Sequence, residues 1–468
     1  MTNQPPPTIF LTVIRSMVAR NLLQNDFFRI LRERFRIVIL TPAANDVVFC
    51  RAFAHPNVSF KHFRDASHTR ADIIFLGLHK YLLWSKFISL KLRYGIRALT
   101  KPEDLSAVRY WLFALIFIPL SRLPFLRDWL RWVDLYFGQK QKVREFRALI
   151  KAERPCLIVS TSISSNVEGA LLKAARREGI KTVGMPKSWD NLSRAGFRAK
   201  ADTLVVWSQF MADQAITFQR YRPKQVKIIG IPQFDGYRNP EFIWSRERFG
   251  CEFGLDPAKR VILFTSEGKS VPEDADIALL LADFIARGEL ANASLLIRPH
   301  FSYPQDEEKF VALSGRPEVV VDRLNNPASG FKDYGDFSVA ALERFTNSLA
   351  HATVVVNVCS TITLDAVAFD KPVINVAFEP RINVPAQPQP LAMSYESDYY
   401  LEIVQTGGTR LVKSREELLA ALRQYLDNDK LEAAGRACLR ERFLGPLDGA
   451  AGRRFATLVS KLAESTPR

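Results

Sequence analysis

The sequence predicts an α/β protein of two Rossmann-like domains that face a central cleft, with a helical insertion in the first domain. The chain has 468 residues, more than one hydrophobic core usually supports. Short β-branched runs alternate with amphipathic stretches along both halves, as in a parallel sheet whose strands are joined by helices. A segment rich in Pro and Gly, without clear periodicity, separates the halves. These three observations favour two domains of similar size.

The first domain is predicted over residues 1–235 and the second over residues 259–440, with a linker at 236–258. Residues 441–468 are expected to form a C-terminal helix that packs back toward the first domain. The strands predicted for the first domain are Thr8–Ile14, Ile37–Thr41, Val58–Phe63, Cys156–Thr161, Lys181–Met185, Thr203–Trp207 and Val226–Ile231. The strands predicted for the second are Val261–Thr265, Ser294–Arg298, Val319–Asp322, Thr353–Val358, Pro372–Val376 and Thr409–Val412.

The insertion is predicted at residues 71–150 as two long basic helical stretches. It holds Trp84, Trp111, Trp129 and Trp132, four of the seven tryptophans, and residues 70–154 carry 17 Lys/Arg against 7 Asp/Glu. Basic helices with aromatic residues suit an anionic membrane surface. A helical hairpin with these aromatics in an ordinary core remains an equal alternative.

The charge is divided unevenly between the halves. Residues 1–240 hold 39 Lys/Arg and 17 Asp/Glu, a net of +22, whereas residues 241–468 hold 26 and 32, a net of −6. A positive field attracts nucleic acid, anionic lipid or a phosphorylated substrate. Because no nucleic-acid motif accompanies the charge, we expect no nucleic-acid partner.

Neither a metal site nor a secretory signal is expected. The five cysteines lie far apart without a CxxC pair, and His55, His62 and His68 fit no ligand spacing. The apolar run near the start ends at Arg15, and the longest apolar run, Trp111 to Leu120, is about half of a ~20-residue membrane span. We therefore expect a cytoplasmic protein, with peripheral contact to the inner membrane face as an option.

Ligands collect at the carboxyl ends of parallel strands, so the residues that follow each strand are candidates for chemistry. Ser360 and Thr361 follow a strand of the second domain and would face a diphosphate. Asp365 could accept hydrogen bonds from ribose hydroxyls. The same residues also suit an ordinary helix start.

Three further positions in the second domain are donor-binding candidates. Arg298 follows a strand and would neutralise a diphosphate, and His300, when protonated, would donate to the leaving group as a catalytic residue. Ser266 and Lys269 lie in a turn that could wrap phosphate, although the spacing of a P-loop is missing. A surface turn is the alternative in each case.

A dense polar and aromatic cluster follows the strand that ends at Met185 in the first domain. We expect it to face the cleft, with Asp190 as the base that deprotonates an acceptor hydroxyl. A turn in which these side chains bond their own backbone is nearly as good an interpretation. The acceptor-side candidates beside Asp190 are Lys187, Trp189, Asn191 and Arg194.

An ordered set of segments resembles the CDP-glycerol glycerophosphotransferase and capsular-polysaccharide transferase group, part of a GT-B-like superfamily. The set spans about residues 180–450 and comprises Trp207-Ser208, Ile229-Gly230-Ile231-Pro232, Phe234-Asp235, Arg298-Pro299-His300, Ser360-Thr361, Asp365-Ala366, Lys371-Pro372-Val373-Ile374, Gly407-Gly408 and Arg410-Leu411-Val412. The resemblance implies a nucleotide-activated donor on the second domain, an acceptor on the first and no metal requirement. It also implies that His300 contacts the donor phosphate or leaving group, and that Ser360, Thr361 and Asp365 bind diphosphate and ribose.

One departure separates this chain from the glycerophosphotransferases. Where they carry a loop similar to Trp-His-Gly-Thr-Pro, this chain has Trp189-Asp190-Asn191 and Arg194, closer to the sugar-transferring relatives. We therefore expect a metal-independent, inverting glycosyltransferase that uses a UDP- or CDP-linked sugar, needs no cofactor and modifies a cell-surface polysaccharide or a lipid-linked acceptor. The alternatives are a CDP-glycerol-type glycerophosphotransferase, a non-hydrolysing nucleotide-sugar epimerase and a non-catalytic glycan-binding protein.

Overall fold

Two parallel β-sheets form the framework of this protein. A computed structural model describes residues 6–63, 69–94, 105–322, 330–331, 333, 335–380 and 391–465. The alternation of buried apolar runs with amphipathic stretches produces helices packed around both sheets, as the sequence predicts. The predicted fold class is therefore confirmed.

The first sheet has seven parallel strands in the order β3-β2-β1-β4-β5-β6-β7. Its strands are β1 Thr8–Thr12, β2 Arg36–Thr41, β3 Val58–His62, β4 Leu157–Ser160, β5 Lys181–Gly184, β6 Thr203–Val206 and β7 Val226–Ile228. The central strands are buried along their whole length, which explains their unbroken β-branched sequences.

The second sheet has six parallel strands in the order β10-β9-β8-β11-β12-β13. They are β8 Arg260–Thr265, β9 Ala293–Arg298, β10 Val319–Val321, β11 Val354–Asn357, β12 Val373–Val376 and β13 Arg410–Val412. All thirteen strands lie where the sequence predicts them, and most end one to three residues earlier. The strand order reverses between β1 and β4 and again between β8 and β11. Such reversals open the crevices in which ligands bind.

Twenty α-helices connect and cover the described strands. Up to the end of the first sheet they are α1 Ser16–Val18, α2 Asp26–Arg34, α3 Val47–Ala52, α4 Arg70–Tyr81, α5 Lys86–Tyr94, α6 Leu105–Arg122, α7 Pro124–Phe137, α8 Lys140–Glu153, α9 Asn166–Arg177, α10 Asn191–Arg194 and α11 Gln209–Gln219. The later helices are α12 Arg246–Phe253, α13 Asp274–Ala286, α14 Val339–Ala350, α15 Ile362–Ala368, α16 Leu391–Ser394, α17 Tyr400–Gln405, α18 Arg415–Asp427, α19 Ala433–Leu444 and α20 Ala451–Glu464.

The insertion between β3 and β4 differs from its prediction. It folds as five helices, α4 to α8, rather than as two long stretches. A left-handed Trp84 separates α4 from α5, and Gly138 and a left-handed Gln139 end α7 and begin α8. The sequence pattern hides the break at Trp84 because apolar residues continue through it.

A buried cluster of charges holds the insertion against the first sheet. Asp134 of α7 is fully buried and accepts hydrogen bonds from Lys173 at 2.7 Å and from Arg198 at 2.6 and 2.8 Å. His79 of α4 lies 3.1 Å from the same carboxylate. A buried carboxylate needs such partners, so removal of one partner would be costly.

The segment between the sheets is more ordered than the irregular linker that its sequence predicts. It contains short 3-10 turns at Pro232–Phe234, Gly236–Arg238 and Pro240–Phe242, followed by α12. Asp235 accepts hydrogen bonds from the first backbone amides of α20, at 2.7 Å from Gly452 and 3.0 Å from Ala451. The ring of Phe455 in α20 stacks on Phe27 of α2 with centroids 4.2 Å apart. The C-terminal helix thus lies on the first sheet's side of the molecule.

A connection of the second sheet also reaches across to the first. Asp333, which lies between β10 and α14, accepts a 2.9 Å hydrogen bond from the backbone amide of Ser16 in α1. Phe331 and Phe337 of this connection pack on Phe49 of α3, with centroids 5.2 and 5.5 Å apart. The cleft between the sheets is therefore bridged on this side.

Candidate functional site

The carboxyl ends of the two sheets face each other at their topological switch points. Arg15 follows β1 and Asp190 follows β5 on one side, while Glu267 follows β8 and Ser360 follows β11 on the other. Two charges of the first side act on groups of the second. Arg194 opposes the rise that burial causes in the pKa of Glu267, and Asp190 adds to the rise that burial causes in the pKa of the Cys359 thiol. Electrostatic coupling of this kind requires short separations, so the two edges form one site.

Asp190 is held by both of its carboxylate oxygens. Asn191 donates to Oδ1 at 3.0 Å, and Arg194 forms an ion pair with Oδ2. Burial raises the pKa of Asp190, but the charge and hydrogen bond of Arg194 prevail and hold it below its usual value. The carboxylate is therefore ionised at neutral pH and fixed in one orientation. Arg194 and Asn191 thus act on Asp190 directly.

Lys187 supplies a further cation at the same edge, where the charges of Asp190 and Asp333 offset it only in part. Its ammonium forms neither a hydrogen bond nor an ion pair with any side chain in the described parts of the chain. Burial lowers its pKa, and the nearby charge of Arg15 lowers it further. Two positive charges held close together, with little solvent, favour an anionic ligand.

A small pocket lies beside Lys187. Its enclosed volume is about 10 Å³, far below the ~300–1,000 Å³ of most ligand pockets, so it holds no more than about one water molecule. Thr161 after β4 and Gln233 of the linker supply polar atoms to its wall. The remaining wall residues are Val18, Asn21, Leu22, Met185, Trp207 and Pro232.

Trp189 does not line the acceptor surface as predicted. It is 2% exposed, and its ring packs edge-on against Trp207 with centroids 4.6 Å apart. Its indole N–H donates a 2.9 Å hydrogen bond to the backbone oxygen of Phe443 in α19. The ring therefore ties the C-terminal region to the first sheet, because a buried indole N–H needs an acceptor.

Ser360 and Thr361 lie at the opposite edge, before α15. Cys359, which precedes them, adopts a left-handed conformation with φ 50°, strained for a side chain other than glycine. Its backbone amide donates to the Tyr395 hydroxyl at 2.8 Å. Ser360 is hydrogen-bonded to Glu267, whereas the Thr361 hydroxyl has no partner in the described chain. Because α15 has only seven residues, hydroxyls rather than a helix dipole are the main binding groups here.

A buried polar network supports this turn from below. The Tyr400 hydroxyl lies 2.7 Å from Thr363 Oγ1 and donates to the backbone oxygen of Ser360 at 3.1 Å. Asn375 of β12 donates to Asn357 of β11 at 3.0 Å. Buried hydrogen-bond networks of this kind restrict the backbone, so the position of Ser360 is set by the strands beneath it.

Asp365 is closed off by a residue from the linker. It is 7% exposed, and its Oδ1 accepts a 2.6 Å hydrogen bond from the hydroxyl of Tyr237. Burial raises the pKa of Asp365 to about 6, and the hydrogen bond from Tyr237 and the charge of Arg20 lower it only in part. Tyr237 already occupies one oxygen of Asp365, so the other oxygen, Oδ2, is the one left for a ribose hydroxyl.

Ser266 organises its own turn instead of facing a ligand. Its hydroxyl lies 2.9 Å from Asp274, and it accepts from Lys309 at 3.0 Å and from the amide of Gly268 at 3.0 Å. Gly268 has φ 63°, and a Cβ there would lie 2.1 Å from the ring of Tyr303. This turn therefore requires glycine. The side chain of Lys269 lies outside the described residues.

Glu267 is a candidate that the sequence analysis missed. Burial raises its pKa to about 8, against the opposing effects of its hydrogen bond to Ser360 and the charges of Arg194 and Lys309. Glu267 is thus mainly protonated at neutral pH and would donate a hydrogen bond to a ligand oxygen. Its position directly after β8, at the switch point, was the available signal.

Arg298 and His300 differ from their predicted states. Arg298 is 9% exposed and ion-paired with Asp322, which also pairs with Arg344 at 2.7 Å. Burial lowers the pKa of His300 to about 4, so the ring is neutral rather than protonated at neutral pH. Its Nδ1 accepts from the amide of Ser302 at 3.1 Å, which leaves the hydrogen on Nε2. His300 is therefore a neutral hydrogen-bond donor rather than the protonated acid that the sequence predicts.

Arg20 completes the set of cleft cations and was also missed. It follows β1 on the helical turn Ala19–Leu23, and its guanidinium lies 5.6 Å from the ring of Phe301 and 5.4 Å from that of Phe345. Within the described residues, no group of three or more His, Cys, Asp or Glu side chains could hold a metal ion. The cations and hydroxyls together suit a phosphorylated ligand.

Known proteins match this chain by structure but not by sequence. No family model and no curated protein match it. The UDP-GlcNAc 2-epimerase from Neisseria meningitidis bound to UDP-GlcNAc has a TM-score of 0.53 and 11% identity, over 99% of this chain and 100% of that one. A glycosyltransferase from Rickettsia africae has a TM-score of 0.50 and 11% identity, over 99% and 100%. The wall teichoic acid polymerase TagF, soaked with CDPG, has a TM-score of 0.52 and 12% identity, over 98% of this chain and 89% of that one. At these identities the likeness shows the fold alone, and the fold of this chain is GT-B-like.

Proposed function

We propose that this protein is a metal-independent glycosyltransferase that takes a UDP- or CDP-linked sugar as donor. The observation that carries the proposal is the approach of Asp190, fixed by Asn191 and Arg194, to the edge of the other sheet: Arg194 acts on the charge of Glu267, and Asp190 acts on that of Cys359. A fixed carboxylate facing cations and hydroxyls provides both a base and a binding site for a leaving diphosphate. Structural neighbours that bind UDP-GlcNAc or are described as a glycosyltransferase support this choice.

In the proposed reaction Asp190 removes the proton from an acceptor hydroxyl. The hydroxyl oxygen forms a bond to the anomeric carbon, and the bond from that carbon to the phosphate oxygen breaks. The electron pair leaves with the nucleoside diphosphate, which Arg15, Arg20 and Lys187 neutralise. Direct attack of this kind inverts the anomeric centre.

Three groups would hold the donor without reacting. Protonated Glu267 and the Thr361 hydroxyl donate to diphosphate oxygens, and the neutral His300 donates through Nε2. The acceptor, a cell-surface polysaccharide or lipid-linked glycan, enters beside Lys187 and Asp190. The reaction proceeds at the cytoplasmic side, where nucleotide-activated donors are available.

Product analysis distinguishes this function from its alternatives. The protein is incubated with UDP-, CDP-, GDP- and dTDP-linked sugars and with CDP-glycerol, with and without anionic glycans and lipid-linked acceptors. We expect free nucleoside diphosphate only when an acceptor is present. A CDP-glycerol glycerophosphotransferase would release CMP, since the bond between the phosphates breaks. An epimerase would change the nucleotide-linked sugar without acceptor, and a binding protein would form no product. Each of these three results would refute the proposal.

A further inference from the structure

The helices α6 and α7 carry an unusually apolar outer surface. Ten of the 20 exposed large hydrophobic side chains in the described chain lie within residues 111–137. They are Trp111, Leu112, Leu115, Ile116, Leu123, Phe125, Trp129, Trp132, Tyr136 and Phe137. Single exposed apolar residues are ordinary, whereas a contiguous patch marks a site of interaction. We call these ten residues the outer patch.

The α7 helix is turned inside out relative to a helix on a soluble surface. Its outward side bears Phe125, Trp129 and Trp132, which are 54–64% exposed. Its inward side bears Leu130 and Leu135 but also the charged Arg131 and Asp134. Arg131 donates to the backbone oxygens of Phe197 and Gln219 at 3.1 and 3.2 Å, and Asp134 anchors the buried cluster. A surface helix ordinarily has the reverse arrangement. The outward side of α7 is therefore built for an apolar environment.

The outer patch includes exposed residues of α6 as well. Trp111, Leu112, Leu115 and Ile116 are 53–76% exposed and recur at the spacing of one helix face. Leu123 at the corner between the helices is 40% exposed. The two helices are bent by 96° to each other, and no single helix in the described chain is long and apolar enough to cross a membrane. Two bent helix pairs, α6 with α7 and α4 with α5, reach the length and apolar composition of a membrane span only when the two helices of the pair are taken together.

Positive charge borders the outer patch. Arg122 lies at the corner between α6 and α7, and Lys140, just after α7, holds its ammonium 5.4 Å from the ring of Phe137. Asp128 is the acidic residue on the outward side of α7, and its charge is paired with Arg131 at 2.8 Å. Exposed aromatic rings with basic residues beside them match the interface of an anionic bilayer, where rings enter the headgroup zone and cations meet phosphates.

We propose that the outer patch docks this protein on an anionic lipid bilayer, with α6 and α7 lying in the headgroup zone rather than crossing it. Charge complementarity selects lipid over another protein, because the rim is basic and the exposed face is rich in Trp, Tyr and Phe. Docking by the first domain would bring a lipid-linked acceptor to the side of the cleft that bears Asp190. The docking itself does not depend on the proposed reaction.

Vesicle co-sedimentation of the full chain tests the proposal. We expect binding to vesicles of phosphatidylcholine with phosphatidylglycerol, weaker binding to phosphatidylcholine alone, and release by salt. The double variant Trp129→Ser/Trp132→Ser should bind roughly tenfold or more weakly, because it removes two rings from the interface. The matched control Val47→Ser/Val48→Ser, at exposed positions outside the outer patch, should bind like the wild type. Brominated lipid should quench tryptophan fluorescence in the wild type and much less in the double variant.

Two results would overturn the proposal. One is a wild-type protein that binds neither kind of vesicle. The other is a double variant with an unchanged melting temperature that binds as tightly as the wild type. Size-exclusion chromatography without lipid separates a different occupant: a dimer that Trp129→Ser/Trp132→Ser dissociates, together with no vesicle binding, would identify the outer patch as an interface between two copies.

Discussion

The hydroxyl of Tyr237 donates a 2.6 Å hydrogen bond to Oδ1 of Asp365, and so joins the linker between the two sheets to the helix that follows the donor-side turn. Both groups are buried, and the pKa of Asp365 is raised to about 6. The ionised carboxylate is therefore costly to the folded protein at neutral pH. A group that destabilises the free protein is retained where function requires it.

The substitution Asp365→Asn should stabilise the free protein and weaken donor binding. A carboxyl group whose pKa is higher in the folded than in the unfolded chain costs stability as pH rises from about 4 to about 6. Asn keeps an acceptor for Tyr237 without the charge, so we expect a gain on the order of 2 kcal/mol at pH 7 and little gain near pH 4. Urea unfolding at both pH values measures it. Equal gains at the two pH values would contradict the explanation.

The substitution Asp190→Asn should abolish most turnover without unfolding the protein. Loss of the base is expected to lower kcat by ~10²–10⁴ while the donor affinity changes little. Arg194 is 49% exposed in its ion pair with Asp190, so water solvates its charge once the carboxylate is lost, and the substitution costs little stability. Asp213→Asn, at an exposed carboxylate on α11, is the control. Acceptor-dependent release of nucleoside diphosphate is the readout, and unchanged kcat would exclude Asp190 as the base.

Glu267 predicts a pH limit on nucleoside diphosphate binding. Its pKa is about 8, so its carboxyl group donates to the diphosphate below that pH and repels it above. Affinity measured by calorimetry should fall roughly tenfold per pH unit once the group is ionised. Glu267→Gln should remove this decline, since the amide donates at every pH, whereas Glu241→Gln, at an exposed position, should retain it. A decline that persists in Glu267→Gln would assign it to another group.

The buried cluster around Asp134 predicts a large loss of stability for Asp134→Asn. Burial raises the pKa of Asp134, but hydrogen bonds from Arg198 and His79 and the charge of Lys173 hold it below its usual value. The carboxylate therefore stabilises the fold above about pH 4, and this stabilisation is lost as the pH falls. We expect a cost of ~3–5 kcal/mol at pH 7, because two buried cations lose their counter-charge. Asp427→Asn, at a carboxylate that is 81% exposed and pairs with the partly exposed Arg260, should change the free energy of unfolding by less than about 0.5 kcal/mol.

The sequence predicts the strands far better than the side chains of the site. Most strands are runs of β-branched or other apolar residues, and this pattern is local, so all thirteen are found. The neutral state of His300 and the ion pair of Arg298 with Asp322 depend on burial, which arises only when distant segments meet. Tyr237 was missed because it lies in a segment that resembles a connection. Glu267 lies in a turn where the neighbouring Lys269 has the charge expected of a phosphate ligand.

Local sequence pattern also fails to predict the helix breaks of the insertion and the burial of Trp189. Apolar residues continue across the corner at Leu123, so periodicity alone merges α6 with α7. The acceptor of the Trp189 indole is a backbone oxygen of Phe443, more than 250 residues away in the chain. Contacts over such separations depend on topology rather than on local pattern.

The binding of a nucleotide-activated donor between the two sheets is tested most directly by a thermal-shift panel. Wild type, Lys187→Met and Asp365→Asn are melted with UDP-, CDP-, GDP- and dTDP-linked sugars at rising concentration. A ligand at about 100 times its Kd stabilises the folded state by ~2.7 kcal/mol. We predict a saturable rise in Tm with UDP- or CDP-linked donors for the wild type and a smaller rise for both variants. No rise with any donor, or the same rise in all three proteins, would contradict a donor site in this cleft.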